Sequence, residues 1–167
     1  MKNIFLIGFM GCGKSTVAKQ LSKNLHAECI EMDELIEKEQ GMPITEIFEK
    51  YGEEHFRNIE TELVRRIQEK DGMVVSCGGG AVLREENCRL MKESGMIILL
   101  TAKPETILER VKRSTRRPVL NGNMNLEYIS ELMERRRACY EQAADVCIAT
   151  DDKKVEAICQ EIIDALG

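Results

Sequence analysis

The chain has 167 residues, enough for one domain with a sizeable core, and 43% of them are hydrophobic, which excludes a disordered chain despite 32% charged residues. Twenty-four Lys and Arg against 29 Asp and Glu give a net charge of −5, and aromatic residues are only 4%, with no Trp. That balance excludes a DNA-binding surface and a base-stacking platform, so no nucleic-acid partner is expected. In chain order, Ile4 to Ile7 reads as a short strand buried on both faces, and Thr16 to Leu25 as a helix with Val17, Leu21 and Leu25 on one side. Cys29 to Met32 is a weak second strand. Residues 33–70 read as nearly all helix, punctuated by Gly41, Pro43 and Gly52, with Pro43 suited to a first helical turn; Phe56, Ile59, Leu63 and Ile67 step by three or four. Met73 to Cys77 and Met96 to Leu100 are two further buried strands. Ile107, Leu108 and Val111 mark a helix, residues 110–125 are basic and then loop-like, and Val146 to Ala149 is a fifth strand.

Strands alternating with helices predict an α/β fold of three layers, a central, mainly five-stranded parallel sheet with helices on both faces. No repeat or linker divides the chain, so a single domain over residues 1–167 is expected. Its core would comprise about 1–32, 71–109 and 126–167, with a helical acceptor-binding insertion at about 33–70 and a basic lid at about 110–125, because long insertions in compact domains are usually functional.

Seven cysteines form no C-x-x-C pair, and His26 and His55 stand apart from them, so neither a disulfide framework nor a zinc site is expected. Reduced thiols used as small core residues imply a cytoplasmic location. The apolar run after Lys2 breaks at Gly11-Cys12-Gly13-Lys14 without a small-residue cleavage site, so no signal peptide is expected. No stretch of ~18 apolar residues occurs, so no membrane partner is expected. Without a heptad stripe or long apolar edge, the expected state is a monomer.

Gly8-Phe9-Met10-Gly11-Cys12-Gly13-Lys14-Ser15 is a complete G-x-x-x-x-G-K-[ST] motif between a predicted strand and a predicted helix, the context it requires. Its glycines let backbone N–H groups turn inward around phosphate oxygens, and the helix N-terminus adds favourable dipole charge. Lys14 would reach the β- and γ-phosphates, and the Ser15 hydroxyl would ligate Mg²⁺. A nucleoside triphosphate and Mg²⁺ are therefore the expected cofactors. The absence of N-K-x-D argues against a GTPase switch, and the short chain argues against a motor; a small-molecule or nucleotide kinase fits better. Cys12 stands inside this cradle, either as a thiol activated by the helix N-terminus and Lys14 or as a small filler with its sulfur turned inward.

The P-loop, Glu31-Met32-Asp33, Phe56-Arg57-Asn58-Ile59-Glu60, Cys77-Gly78-Gly79-Gly80-Ala81, Arg117-Pro118-Val119-Leu120 and Arg136 followed by Tyr140 occur in an order and spacing that resembles the shikimate kinase family, from Met1 to about Leu166. The resemblance implies phosphorylation of the 3-hydroxyl of shikimate with ATP and Mg²⁺, on the route to chorismate and aromatic amino acids. It implies nucleotide contacts from Gly11, Cys12, Gly13, Lys14, Ser15 and Thr16, with Arg110 over the adenine, Arg117 reaching the transferring phosphate and Lys153 near the adenine side. A water-mediated magnesium contact is implied for Glu31.

The acceptor chemistry agrees with it. A small hydroxylated carboxylic acid needs an anion clamp, which Arg57 and Arg136 can supply. Asp33 can orient or deprotonate the attacking hydroxyl, and Gly78, Gly79 and Gly80 let the backbone approach the ring at the carboxyl end of a strand. Each residue also has a plainer reading. Arg57 could pair with Glu60 at i,i+3, Arg136 could belong to the solvated run Arg135-Arg136-Arg137, and Asp33 could be a helix N-cap. The three glycines could be only a tight turn, and the lid a solvated basic face. The chain departs from the family pattern at Glu31, where Asp is usual, and at Ala138, where Pro is common; Ser76 in place of a Walker B Asp follows the family. Alternatives are another small P-loop kinase, for gluconate or a nucleoside monophosphate, and a non-catalytic nucleotide-binding module.

Overall fold

A computed structural model of the chain describes residues 1–112 and 125–167. The strands are β1 (Asn3–Ile7), β2 (Glu28–Glu31), β3 (Met73–Ser76), β4 (Gly95–Thr101) and β5 (Val146–Ala149). They form one sheet in the order β2-β3-β1-β4-β5, every neighbouring pair parallel. The helices among the described residues are α1 (Lys14–Leu25), α2 (Met32–Gln40), α3 (Ile44–Tyr51), α4 (Glu53–Gln68), α5 (Glu85–Ser94), α6 (Pro104–Lys112), α7 (Leu126–Ala143) and α8 (Val155–Leu166), with a 3-10 turn at Ala81–Leu83.

The alternation of side chains along β1 explains the three layers. Ile4 and Leu6 join Val17, Leu21, Ile98, Leu100, Ile158 and Ile162 in a core under α1 and α8. Phe5 and Ile7 point the other way, into a larger core with Val75, Ile97, Leu99 and the inner faces of α2 to α7. All five residues of β1 are buried, as a central strand covered on both faces must be.

The expected helical insertion is three helices. Gly41 ends α2 in a left-handed conformation (φ 69°), and Pro43 stands just before α3 in extended backbone rather than inside its first turn. Glu37 Oε2 accepts the Ile44 N–H at 2.9 Å and so takes the place of a local cap. Met32, expected to close the second strand, is the fully buried first residue of α2.

The topology places the site. From β1 the chain crosses to β2 and β3 on one side and later to β4 and β5 on the other. The crevice where strand order reverses lies beyond the carboxyl ends of the central strands, where open α/β sheets bind ligands. There Leu6 pairs with Ser76 and Glu31 with Ser76, so the loops that follow β2, β3 and β1 emerge side by side.

Candidate active site

The loop between β1 and α1 has the form that its residues predict. Gly13 sits at the N-cap with φ 95°, a conformation that residues with a Cβ rarely adopt. Lys14 begins α1 and folds its ammonium back onto the Gly8 carbonyl, with the Phe9 carbonyl 3.4 Å away. These carbonyls occupy the donors that a β- or γ-phosphate would take. Ser15 and Thr16 are exposed in the first turn of α1, whose free N–H groups and dipole favour an anion.

Beside it, the three glycines after β3 each face charged side chains. A Cβ on Gly78 would lie 2.7 Å from Asp33 Oδ1 and 3.1 Å from Glu60 Oε2; one on Gly79 would lie 3.2 Å from Arg136 Nη1; one on Gly80 would meet Arg57 Nη1 and Nη2 at 2.5 Å. None of the three requires a positive φ. They form a turn, with the Ala81 N–H donating to the Gly78 carbonyl at 3.1 Å, and they also permit close approach: without methyl groups there, two carboxylates and two guanidinium groups can crowd the carboxyl end of β3.

These side chains come from three elements. Asp33 is exposed in the first turn of α2; Glu31, not Asp33, is the N-cap residue. Arg57 lies on α4, its Nη1 2.7 Å from Glu60 Oε1 and its Cζ 5.3 Å from the centroid of the Phe56 ring. The pairing read as the plainer alternative is present, and the same guanidinium also faces Gly80. Arg136 on α7 is separated from its neighbours in the basic run: Arg135 and Arg137 are exposed and paired with Glu131, Glu134 and Glu141, whereas Arg136 has its Cζ 6.0 Å from the centroid of the Phe9 ring and faces Gly79.

Glu60 is 1% exposed, and its Oε2 has no hydrogen-bond partner among the described residues. Burial pushes its carboxyl above the ordinary value, opposed by the Arg57 guanidinium and assisted by the nearby Asp33 carboxylate. A buried carboxylate oxygen lacking a donor is costly until a ligand hydroxyl supplies one. A phosphate cradle, a carboxylate at the acceptor position and two converging arginines make a site for transfer to a small hydroxylated anion.

The shikimate kinase family profile matches residues 10–167. The chain belongs to the shikimate kinase family. A shikimate kinase of Thermodesulfovibrio yellowstonii is 45% identical over 98% of this chain and 94% of its own length, and one of Caldanaerobacter subterraneus is 42% identical over 99% and 96%. A shikimate kinase from Acinetobacter baumannii, solved in complex with shikimate, superposes with a TM-score of 0.92 at 31% identity, covering 99% of this chain and 93% of that one. The α/β architecture with its five-stranded parallel sheet is that of the family.

The other residues expected at the site fall as follows. Arg110 lies on α6 and donates to the Gly11 carbonyl at 3.0 Å and to Thr150 Oγ1 at 3.2 Å, tying the P-loop to the loop after β5. Lys153 lies on that loop, its ammonium 2.9 Å from Glu161 Oε2. Glu31 ends β2 with Oε2 3.8 Å from Lys19 Nζ and with Oε1 buried without a partner among the described residues. Arg117 lies outside the described residues. The activated-thiol reading of Cys12 is corrected: the residue is 1% exposed in the α1–α8 core, its Sγ 2.8 Å from where a Cβ on Gly8 would stand, so it is an inward filler. Cys77 and Cys159 are also core residues, but Cys147 on the edge strand β5 is exposed, contrary to the expectation that every thiol fills the core.

Three site residues were not singled out from the sequence for their chemistry. Glu60 had a detectable signal, an acid at the i+4 position from Phe56 on the apolar stripe of α4. Phe9, under Arg136, and Thr150, which receives Arg110, had none, because each acts through a residue more than 90 positions away or on another element.

Proposed function

We propose that this protein transfers the γ-phosphoryl group of ATP to the 3-hydroxyl of shikimate, giving shikimate 3-phosphate and ADP. The observation that carries the reading is the register between Gly78, Gly79, Gly80 and the side chains of Asp33, Arg136 and Arg57. Arg57 and Arg136 form paired hydrogen bonds to the acceptor's carboxylate, and the partnerless Glu60 Oε2 accepts from a hydroxyl. Asp33 takes the proton of the 3-hydroxyl as that oxygen bonds to the γ-phosphorus; the bond from the γ-phosphorus to the β–γ bridging oxygen breaks and its electron pair leaves with ADP. Lys14 leaves the Gly8 and Phe9 carbonyls for the β- and γ-phosphates. Arg110 serves the nucleotide from α6, and Arg117 is given the transferring phosphate on the family resemblance alone. The 33–70 insertion presents the acceptor side; of the basic lid expected at about 110–125, residues 113–124 lie outside the described residues.

Among the described residues no three His, Cys, Asp or Glu side chains gather as a metal cage. Mg²⁺ does not need one, since it takes one or two protein oxygens together with phosphates and waters. The exposed Ser15 hydroxyl and the partnerless Glu31 Oε1 suit that role, Glu31 through water. Bound there, Mg²⁺ would neutralise charge on the β- and γ-phosphates. Seven cysteines without a disulfide support a reducing, cytoplasmic setting. No helix among the described residues is long and apolar enough to cross a membrane.

The test is ADP release measured in parallel with shikimate, quinate, gluconate and nucleoside monophosphates. Turnover is expected with shikimate, Mg²⁺-dependent and far above the others. Preferential turnover of gluconate or a nucleotide would overturn the acceptor assignment.

A further inference from the structure

Tyr140 follows Arg136 by one helical turn on α7, so both side chains stand on the same face. The phosphoryl-transfer reading gives it no role. The residue is 6% exposed, and its hydroxyl donates to the Gly79 carbonyl at 2.7 Å, across 61 positions of sequence. The same hydroxyl lies 4.0 Å from where a Cβ on Gly79 would stand, and Arg136 Nη1 lies 3.2 Å from it. One backbone unit therefore has a phenol fixing its carbonyl and a guanidinium facing its Cα. Burial pushes the Tyr140 phenol above its ordinary value, with the Arg136 guanidinium acting in the opposite sense, so the phenol remains a donor through neutral pH. The other side of Arg136 faces the Phe9 ring.

A bond between α7 and the glycine loop has a consequence that ordinary core packing lacks. The gap between Gly79 and the Arg136 guanidinium is set by how α7 sits on that loop, and three consecutive glycines have little side-chain packing of their own to hold the loop still. We propose that Tyr140 is a positioning residue of the acceptor site: by holding the Gly79 carbonyl it fixes the glycine loop against Arg136, and so sets how that guanidinium is presented to the acceptor's carboxylate. The inference rests on the assignment of Arg136 to that carboxylate.

The test compares Tyr140→Phe, Arg136→Lys and the double variant with wild type, reading kcat, KM for shikimate, KM for ATP and thermal stability. Tyr140→Phe keeps the ring and its packing and removes only the hydroxyl. Its expected effect is a rise of about 3- to 10-fold in the KM for shikimate, the range for one buried hydrogen bond, with the KM for ATP and kcat changed by less than about 2-fold. Arg136→Lys should raise the same KM more, and the double variant should lose less than the product of the single losses, since both act on one gap. The methyl ester of shikimate should show a smaller penalty from Tyr140→Phe than shikimate does. An unchanged shikimate KM in Tyr140→Phe, equal rises in the KM for shikimate and ATP, or multiplicative losses in the double variant would each overturn the proposal. An unchanged shikimate KM in Arg136→Lys would overturn the carboxylate assignment and the proposal with it, whereas a rise there with none in Tyr140→Phe overturns the proposal alone.

Discussion

Arg57 has two ion pairs, with Glu60 at 2.7 Å and Glu53 at 3.4 Å, and Gly80 in front of it. Its bond to the buried Glu60 fixes the guanidinium, whose other face meets Gly80. Arg57→Ala should raise the KM for shikimate by about 10- to 150-fold, the cost of one charge-assisted hydrogen-bond donor set, while the KM for ATP stays within about 2-fold. It should also lower thermal stability, because Glu60 would be left as an unpaired buried carboxylate. Asp33→Asn should instead lower kcat with little change in the KM for shikimate, since an amide still orients the hydroxyl but takes no proton; full kcat in that variant would reduce Asp33 to an orienting role. The thiols separate by environment. Burial pushes the Cys77 thiol well above its ordinary value, and Cys12 and Cys159 are enclosed in the same way by packing. Maleimide labelling of the folded protein, followed by peptide mapping, should find Cys147 modified well ahead of these three. Labelling of Cys12 ahead of Cys147 would contradict its inward sulfur.

At the scale of the element, α4 shows how an amphipathic pattern carries a functional charge. Phe56, Glu60, Leu63, Val64 and Ile67 form its buried face, so the helix is anchored by apolar residues on either side of one acid. Because burial raises the carboxyl of Glu60 in the folded state, the native protein binds its proton more tightly than the unfolded chain does. Stability from this group is therefore greatest at low pH and is lost as pH rises from the ordinary carboxylate value of 4.5 through the raised folded value. Melting temperature followed against pH in wild type and Glu60→Gln should show the wild type losing stability relative to the variant across that window. A difference that grew in the wild type's favour would mean that the Arg57 pairing outweighs desolvation. The reverse sign holds at α6, where Asp151 Oδ1 accepts from Lys103 N–H at 2.9 Å and Thr106 Oγ1 at 2.6 Å. Burial opposes ionisation of that carboxyl, but those bonds prevail and lower it, so its contribution is lost as pH falls.

For the whole molecule, the relation between β1 and its neighbours decides whether the site exists. Asn3, fully buried at the start of β1, donates to the Ile67 and Lys70 carbonyls at 3.2 and 2.9 Å and accepts the Met73 N–H at 3.0 Å. It thereby ties the central strand to the turn between α4 and β3. Asn3→Ala should destabilise the fold by about 2–4 kcal/mol, read from denaturant unfolding, since it orphans buried backbone groups as well as removing bonds. The kinetic constants of the protein that remains folded should be close to wild type, because the carboxyl ends of the strands lie at the opposite edge. A loss below about 0.5 kcal/mol would show that water replaces the amide.

The sequence by itself determined whatever is written in contiguous residues. The strand runs, the amphipathic helices and the phosphate cradle were legible because side-chain period, a positive φ at Gly13 and a helix start at Lys14 are local properties of the chain. The acceptor residues were legible one by one, but each kept a plainer reading, because a residue's own neighbours do not say what lies across the sheet. The tertiary structure supplies what lies across the sheet. The strand order β2-β3-β1 brings the Asp33 turn, the glycine triplet and the P-loop to one edge, and the docking of α4 and α7 turns Arg57 and Arg136 onto Gly80 and Gly79. The same packing sends Cys12 inward, buries Glu60 without a full set of partners and joins Tyr140 to Gly79. The physical reason is distance along the chain: propensity and periodicity act over a few residues, whereas charge state, close approach and thiol exposure depend on groups tens of residues away that only the register of the sheet brings together.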